Sequence, residues 1–326
     1  PLNCVIEPTA DGGVIFHDGC QFPALVHPTV AKVLELKPEQ VSIKTYYAGG
    51  SFGRRANGQS DYAVEAALAF KALGGKTPVK LVWTREDDLA GGYYRPMAAH
   101  KVRIGITDKG EIAGWGHKIV TQSIAKGTPF EAVMVKEGVD DTSVEGVADA
   151  EYSIPQLAVG LTNWESPMHI LWWRSVGHSH SAYVMEVAMD LAAKSAGKDP
   201  VEFRLGMLAS DSKDHQRLSG VIKLAAEKAD WGKALPKGRA RGIAAHKSFN
   251  SYVAQVVEIS SNDDDIKIER VVCAVDCGVA VNPDVINAQM EGGIGYALGA
   301  VMRNQITLDE GVVEQANFPD YEPLRI

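Results

Sequence analysis

Residues 45–55, TYYAGGSFGRR, place three glycines and two arginines directly after an aromatic run. Glycine tolerates positive φ angles and lets backbone N–H groups approach a ligand closely, so Gly49, Gly50 and Gly53 suit a loop that wraps a bulky or anionic group. The helical pattern of residues 61–73 puts this loop near a helix N-terminus, where anions are favoured. The segment predicts either a ligand-binding loop or a sharp surface turn with solvated arginines. Its spacing matches neither a P-loop nor a G-x-G-x-x-G fingerprint.

Three further polar side chains stand where one predicted element ends and the next begins. Gln21 lies in GCQFP between a strand and a helix, Arg174 lies in WWRSVGHSH before a helix, and Gln289 lies in VNPDVINAQMEGG after a strand. Loops at such junctions often carry function, so these residues are candidates for ligand binding. The alternatives are a loop amide with internal partners for Gln21 and a structural ion pair for Arg174.

Two short motifs raise the question of a metal site. His178 and His180 are spaced H-x-H, and Cys273 and Cys277 are spaced C-x-x-x-C in an apolar stretch. No third ligand accompanies the histidines, and no histidine pair completes a zinc set for the cysteines. A helix-start or loop role is therefore predicted for His178 and His180, and no metal ligand is assigned.

The composition limits the class of protein. Of the 326 residues, 45% are hydrophobic and 23% are charged, as in ordinary globular proteins, and the net charge is −8. Nucleic acid is excluded as a partner because phosphate binding needs a concentrated basic face. No apolar run reaches the roughly 18 residues that a membrane span requires. The four cysteines are too few for a disulfide scaffold, and because the chain begins with Pro1, processing or a fragment is expected.

The strands and helices that position these candidates are grouped along the chain rather than strictly alternating. Such grouping favours an α+β fold over a doubly wound sheet. Strands are predicted at 79–83, 100–106, 111–120, 251–260 and 266–276, with turns at 107–110 and 261–265. Helices are predicted at 61–73, 181–195, 201–209, 221–231 and 287–302. Two of these helices have apolar stripes. In the helix at 181–195 the stripe consists of Tyr183, Val187, Leu191 and Ala192. In the helix at 287–302 the stripe is expected to be buried and consists of Met290, Ile294, Ala297 and Leu298. A domain boundary is predicted in the polar stretch at 208–220 or in the linker at 232–242.

Taken together and in this order, five segments resemble the large subunit of molybdenum hydroxylases. The branch is that of isoquinoline 1-oxidoreductase β-subunits and membrane-associated aldehyde dehydrogenases. The segments are GGSFGRR at 49–55, VKLVWTREDD with YRP at 79–96, WRSVGHSH at 173–180, RGIAAHKSF at 241–249, and residues 275–295. Each motif alone is weak, but five in family order are specific. The resemblance implies two molybdopterin-binding domains of the aldehyde oxidase and xanthine dehydrogenase type, one over 1–207 and part of a second over 208–326.

The resemblance also implies roles for single residues. Arg174 corresponds to an arginine near the substrate, and Gln21 to a glutamine that hydrogen-bonds an oxygen of the metal centre. The remaining matches are cofactor-binding positions: Gly49, Gly50, Ser51, Phe52, Gly53, Arg54, Gln289 and Gly292. The family often has a third glycine where Ser51 stands.

The family's activity and partners follow as expectations from the same resemblance. It implies an oxidoreductase that hydroxylates an N-heterocycle or oxidises an aldehyde with water as the oxygen source. It also implies molybdopterin in the cytosine dinucleotide form, a small iron–sulfur subunit, cytochrome c as a candidate partner, and a periplasmic location with the cytoplasm as the alternative. The family's catalytic glutamate and a second cofactor loop have no match here, so the chain is expected to be a central fragment that is inactive alone. A non-catalytic scaffold without cofactor is the rival interpretation.

Overall fold

The structure is a computed structural model that describes residues 1–262, 265–322 and 324. Its N-terminal part is a four-stranded sheet in the order β3-β2-β1-β4, in which β2 and β3 are parallel and the other pairs antiparallel. Two helices pack against each other and against this sheet. The elements are β1 (Asn3–Pro8), β2 (Val14–Asp18), α1 (Pro23–Leu34), β3 (Val41–Thr45), α2 (Asp61–Ala72) and β4 (Val79–Val82).

The next part is built on a three-stranded sheet in the order β5-β6-β9. β5 and β6 form an antiparallel hairpin with the turn at 107–110, as predicted, and β9 adds to β6 in parallel. A long insertion between β6 and β9 carries a short two-stranded sheet. The elements are α3 (Arg85–Ala90), β5 (Ala98–Ile106), β6 (Ile112–Thr121), α4 (Glu131–Met134), β7 (Val135–Lys136), β8 (Val139–Asp140) and β9 (Leu157–Asn163).

The last part combines, among its described residues, four helices with a three-stranded antiparallel meander, β10-β11-β12, against which α7 packs. Its elements are α5 (His178–Ser195), α6 (Pro200–Gly206), α7 (Lys213–Lys228), β10 (Arg239–Ser248), β11 (Ser251–Asn262), β12 (Asp265–Asp276), α8 (Pro283–Met302), β13 (Leu308–Asp309) and β14 (Val312–Val313). The predicted α+β class is confirmed. Among the described residues, no helix is both long and apolar enough to cross a bilayer.

The buried hydrophobic side chains of the described residues form two separate cores. The smaller one fills the space between the N-terminal sheet and its helices, around residues such as Phe16, Val30 and Tyr62. The larger one joins β6 and α5 to α7 and β11, so that Trp115 and Ile222 belong to the same buried cluster. This core draws on residues from both sides of position 207. The boundary predicted at 207/208 stays a prediction.

The helix predicted at 221–231 begins earlier than expected, at Lys213. The polar stretch at 210–220 includes the first half of α7, because Ser212 caps the helix by accepting a hydrogen bond from His215 N at 3.1 Å. Its polar side chains mostly face solvent on an amphipathic helix, a pattern that resembles a linker when composition alone is considered. The turn predicted at 261–265 lies partly outside the described residues.

The two predicted apolar stripes need correction as well. On α5 the residues at i, i+4 and i+8, Tyr183, Val187 and Leu191, are exposed, whereas Ala192 on a neighbouring face is buried with Met185 and Met189. On α8 only Gly299 is buried, while Met290, Ile294 and Leu298 are half-exposed and Ala297 is exposed. Apolar spacing marks a helix face, but packing against neighbouring elements decides which face is buried.

Candidate cofactor-binding site

Segments from distant parts of the chain converge on a cleft of about 520 Å³. We name it the glycine-loop cleft, and it is lined by Gln21, residues 49–53, residues 172–174, Gln289 and Gly292, among others. Arg54 excepted, the cofactor and substrate positions implied by the resemblance therefore share one cavity. The elements that supply them are the β2–α1 turn, the segment after β3, the turn before α5, and α8.

The glycine loop has an unusual backbone. Gly49, Gly50, Phe52 and Gly53 have φ values of +74°, +148°, +54° and +110°. At Gly53 the loop touches the chain before α5, where an added Cβ would stand 2.6 Å from the carbonyl oxygen of Trp172. Gly53 is thus required both by its φ angle and by this close approach. Phe52 adopts a left-handed conformation that costs a non-glycine residue energy, a feature that clusters at ligand-binding sites.

Gln21 fixes the loop from the opposite side. Its Oε1 accepts hydrogen bonds from Ser51 Oγ at 2.5 Å and from Gly53 N at 3.1 Å, and its backbone N–H donates to Arg55 O at 3.2 Å. These contacts set the orientation of the amide. Within the part of the chain that the structure describes, its Nε2 donates to no protein group, and both of its N–H bonds are available to a ligand in the cleft.

Arg174 connects the remaining walls of the cleft. Its backbone N–H donates to Phe52 O at 2.7 Å, so the turn before α5 is tied directly to the glycine loop. Its guanidinium donates to Gln289 Oε1, which brings α8 to the same place. Both side chains are exposed to the cleft solvent. The alternative of a structural ion pair is absent among the described contacts of Arg174, whose side-chain partner is a neutral amide.

Arg54 points away from the cleft. Its guanidinium pairs with Asp61, with Nη2 to Oδ2 at 2.5 Å, and lies 4.8 Å from the ring centroid of Tyr93 and 5.5 Å from that of Trp83. Arg54 is not among the lining residues of the glycine-loop cleft but lines a neighbouring cavity with Ser51 and Phe52, and its cofactor role stays a prediction. Arg54 thus anchors the C-terminal end of the loop to Asp61 and adds no free charge to the cleft.

Arg55 has a similar structural role. Its Nη1 pairs with Asp18 at 2.8 Å, and Asp18 also accepts a hydrogen bond from Tyr62 Oη at 2.6 Å. Burial raises the pKa of Asp18, while Tyr62 and Arg55 favour its charged form and oppose that rise. This buried network anchors the loop to the N-terminal sheet.

A second cleft of about 410 Å³ adjoins the first, and its walls are rich in aromatic side chains. We name it the aromatic cleft, with Tyr93, Trp164 and Tyr321 among its lining residues. Residues 51–52 and 172–173 line both cavities. The two tryptophans directly before Arg174 are site residues that sequence reasoning missed, although a paired aromatic run beside a candidate arginine could have signalled them.

Five histidines, among them His178 and His180, form two hydrogen-bonded groups. His178 Nδ1 lies 2.8 Å from His246 Nε2, and His100 bridges His180 at 3.0 Å and His117 at 2.8 Å. Burial lowers the pKa of His117, His180 and His246 to about 4, so these imidazoles are neutral at pH 7.

Among the described residues, no group of three or more His, Cys, Asp or Glu side chains could hold a metal ion. Cys273 is half-buried and Cys277 is exposed, and both are free thiols.

The donor set of the glycine-loop cleft fits a large oxygen-rich cofactor. The amide nitrogen of Gln21, the guanidinium of Arg174 and the amide of Gln289 are uncharged or cationic donors around one cavity. At Gly49 and at Gly292 an added Cβ would meet no protein atom within 4 Å, so the space beside these glycines is open to a ligand. Among the described residues that line the cavity there is no carboxylate to repel phosphate or ene-dithiolate groups.

Comparison with known proteins agrees with this geometry. The chain is 30% identical to the beta chain of isoquinoline 1-oxidoreductase from Brevundimonas diminuta, over all of this chain and 41% of that protein. It is 32% identical to a membrane-bound aldehyde dehydrogenase (pyrroloquinoline-quinone) of Gluconacetobacter polyoxogenes, over all of this chain and 45% of that protein. The chain thus spans less than half the length of these relatives.

A solved structure shares the fold. The crystal structure of quinoline 2-oxidoreductase from Pseudomonas putida 86 superimposes with a TM-score of 0.81 at 12% identity, covering 98% of this chain and 65% of that chain. Two family descriptions of a molybdopterin cofactor-binding domain match the sequence, one over residues 1–207 and the other over residues 179–326. Their overlap contains α5 and α6, which lie in the shared core. The chain belongs to the molybdopterin cofactor-binding domain family.

Proposed function

We propose that this chain is the cofactor-binding part of an oxidoreductase that hydroxylates an N-heterocycle or oxidises an aldehyde with water as the oxygen source. The observation that carries the proposal is the convergence of Gln21, the glycine loop, Arg174 and Gln289 on one cleft. These residues come from four separate segments, and their hydrogen bonds to one another still leave the Nε2 group of Gln21 and the charge of Arg174 for a ligand. Family membership supports molybdopterin as the ligand of that cleft.

The residues of the cleft divide the work of binding. The Nε2 group of Gln21 is a hydrogen-bond donor that the loop itself does not use, and it would hold an oxygen of the cofactor. The backbone of residues 49–53 offers close approach without side-chain obstruction, and Gln289 would hold the pterin from the α8 side. When bound, molybdopterin supplies a molybdenum centre for two-electron redox chemistry.

Arg174 is the residue suited to act on the substrate. A guanidinium beside the reacting group can orient a carbonyl or ring oxygen and stabilise negative charge that develops there. Its position is fixed by the bond from its N–H to Phe52 O, while its guanidinium has only a neutral side-chain partner in Gln289 among the described residues. The positive charge is therefore available for a substrate.

The aromatic cleft supports an N-heterocycle as the substrate class. Flat aromatic rings bind well between aromatic side chains, and Trp172 and Trp173 line both cavities. An aldehyde is the second candidate, favoured by the similarity to an aldehyde dehydrogenase. Steady-state kinetics of the full-length complex on isoquinoline-like rings and on simple aldehydes would decide between them. A strong preference for purines would contradict both.

The cofactor form, the partners and the location are parts of the same proposal. We propose the cytosine dinucleotide form of molybdopterin, a small iron–sulfur subunit, and cytochrome c as a further electron carrier. Similarity to relatives that are themselves named as single subunits of an oxidoreductase and of a dehydrogenase supports a multi-subunit enzyme. A periplasmic location rests on the branch alone, and recovery of the mature parent protein only from the cytoplasm would contradict it.

The decisive experiment measures molybdenum per subunit and the visible spectrum in the full-length, co-expressed complex. We expect about one molybdenum per subunit in the wild type and a marked loss in Gln21→Glu, because glutamate keeps the acceptor for Ser51 and Gly53 but loses the free donor. Gln40→Glu, which lies outside the cleft at the start of β3, is the matched control and should retain the metal. A wild-type complex without molybdenum would reject the proposal in favour of a non-catalytic scaffold.

A further inference from the structure

The turn that carries Arg174 has a strained backbone that needs support from outside. Val176 has a φ of +51°, a costly conformation for a β-branched residue, and its N–H bonds to Trp173 O at 2.6 Å. The next residue, Gly177, is packed so closely that an added Cβ would stand 1.7 Å from Thr142 O. Because Arg174 is only two residues before Val176, any relaxation of this turn would move it relative to Phe52.

Glu145 supplies that support from the long insertion between β6 and β9. Its Oε1 accepts a hydrogen bond from Gly177 N at 2.6 Å, and its Oε2 lies 3.6 Å from His178 Nε2. Gly177 is the N-cap residue of α5 and has no side chain of its own to cap the helix. A carboxylate at this point satisfies a free N–H group and also faces the positive end of the helix dipole.

The surroundings of Glu145 leave this bond without a competing cation. Glu145 lines a cavity of about 330 Å³ together with Asp149, His178, His246 and the ion pair of Lys247 with Glu151. Glu186, which lines the same cavity, is paired with Arg204, and Asp140, in β8 of the insertion, accepts hydrogen bonds from Ser123, Ala125 and Thr142. The cation that lines this cavity within the described residues is therefore already paired.

We propose that Glu145 is a positioning residue of the glycine-loop cleft, which holds Gly177 and so fixes the turn that presents Arg174 to Phe52 and Gln289. The part that concerns the cleft rests on the proposed function, whereas the hold on the turn does not. No other described side chain bonds to Gly177 N.

The strength of this hold depends on pH. Burial raises the pKa of Glu145 to about 7, the charges of Asp149 and Asp140 add to that rise, and the N–H groups of Gly177 and His178 oppose it. Near neutral pH the group passes between a carboxylate, which is a strong acceptor, and a carboxylic acid, which is a weaker one. The turn is therefore held more firmly at pH 8 than at pH 6.

Amide hydrogen exchange of the segment 173–180 tests the hold directly, in the full chain and without cofactor. We expect exchange, corrected for its intrinsic pH dependence, to be about tenfold faster in Glu145→Ala, since a charged hydrogen bond is lost. Glu145→Gln, which keeps a neutral acceptor, should be intermediate and should lose the difference between pH 6 and pH 8. Glu137→Gln, an exposed carboxylate change in the same insertion, should behave as the wild type. Unchanged exchange in folded Glu145→Ala would overturn the proposal.

Molybdenum content of the full-length complex tests the consequence for the cleft. We expect metal per subunit to fall in the order wild type, Glu145→Gln, Glu145→Ala. A loosened turn with normal metal content in both variants would show that Glu145 holds the turn but does not position the cleft, and would overturn that part. A wild-type complex without molybdenum would instead count against the proposed function. In that case amide hydrogen exchange would still show whether Glu145 holds the turn.

Discussion

The absence of a Cβ atom at Gly53 shapes the glycine-loop cleft. Its φ of +110° and the 2.6 Å distance from an added Cβ to Trp172 O together demand glycine. Gly49 shares the positive φ, at +74°, but an added Cβ there meets nothing within 4 Å. The two positions thus separate the cost of backbone strain from the cost of a steric clash.

We predict that Gly53→Ala destabilises the fold more than Gly49→Ala does. Gly49→Ala should lower the free energy of unfolding by about 1 kcal/mol through strain alone. Gly53→Ala should lower it by roughly 2–4 kcal/mol, because the clash involves a backbone oxygen that cannot turn aside. Chemical denaturation of the chain measures both variants. Equal losses would mean that the loop shifts away from Trp172 freely.

At the scale of elements, α5 is the helix that joins both histidine groups to the cleft. His178 and His180 stand in its first turn, and their partners come from β5, β6 and β10. The imidazoles are neutral because burial penalises the charged form. In the unfolded chain the same side chains would bind protons with an ordinary pKa near 6.5.

Acid should therefore destabilise the packing of α5. Between pH 6.5 and about 4 the unfolded state binds more protons than the folded state at His117, His180 and His246, so the free energy of unfolding falls as pH falls. Glu145, Asp18 and Glu186, each with a raised pKa, act in the opposite direction, whereas the lowered pKa values of His100 and His178 add to the effect of the three imidazoles.

Denaturation at a series of pH values measures this dependence, and His117→Gln provides the comparison. In that variant the slope between pH 6.5 and 4 should be smaller by up to about 1.4 kcal/mol per pH unit, which is the linkage of one proton. An identical slope in variant and wild type would show that His117 does not resist protonation in the folded protein.

At the scale of the whole molecule, the larger hydrophobic core spans the predicted domain boundary. Trp115 and Met185 lie before position 207, and Ile222 and Val256 lie after it, all within one buried cluster. The N-terminal sheet has its own separate core. Cutting the chain at 207 would divide the first of these cores and leave the second intact.

We predict that residues 1–207 expressed alone lack a cooperative unfolding transition for the part built on β5, β6 and α5. The apolar surface that α7 and β11 cover would be exposed, at a cost of about 25 cal/mol for each Å² returned to water. The N-terminal sheet should still fold. Thermal unfolding and dye binding, compared with the full chain, test this expectation. A single sharp transition with a buried Trp115 in the fragment would instead support an independent domain ending at 207.

Much of this architecture could be predicted from the sequence, and the exceptions have physical causes. Strict alternation around Ile104 and Trp115 located the β5–β6 hairpin, because a side-chain period of two is specific to strands. The order of the motifs indicated one family with roles for Gln21, Arg174 and Gln289. In the structure these three residues line one cleft. These signals are local or recur within a family.

The features that were missed depend on contacts between distant residues. The exposed face of α5 could not be recognised, since its apolar spacing is helical on more than one side. Arg54 pairs with Asp61 and does not line the glycine-loop cleft, although its position directly after the glycines in the sequence indicated a ligand-binding role. Glu145 meets Gly177 across 32 residues of chain, and no motif marks that contact.

The hydrogen-bonded imidazoles also have a direction, which a single tryptophan decides. Trp115 Nε1 can only donate, and it donates to His117 Nδ1 at 3.3 Å, so the proton of neutral His117 must sit on Nε2. That proton goes to His100 Nδ1, which leaves the proton of His100 on Nε2 for His180 Nδ1. His180 is thereby left as the Nε2–H tautomer, in the small pocket that it lines with Trp172 and residues 176–177. The indole of buried Trp115 thus determines which ring nitrogen of His180, close to the turn that carries Arg174, is protonated. Trp115 acts on His180 through His117 and His100.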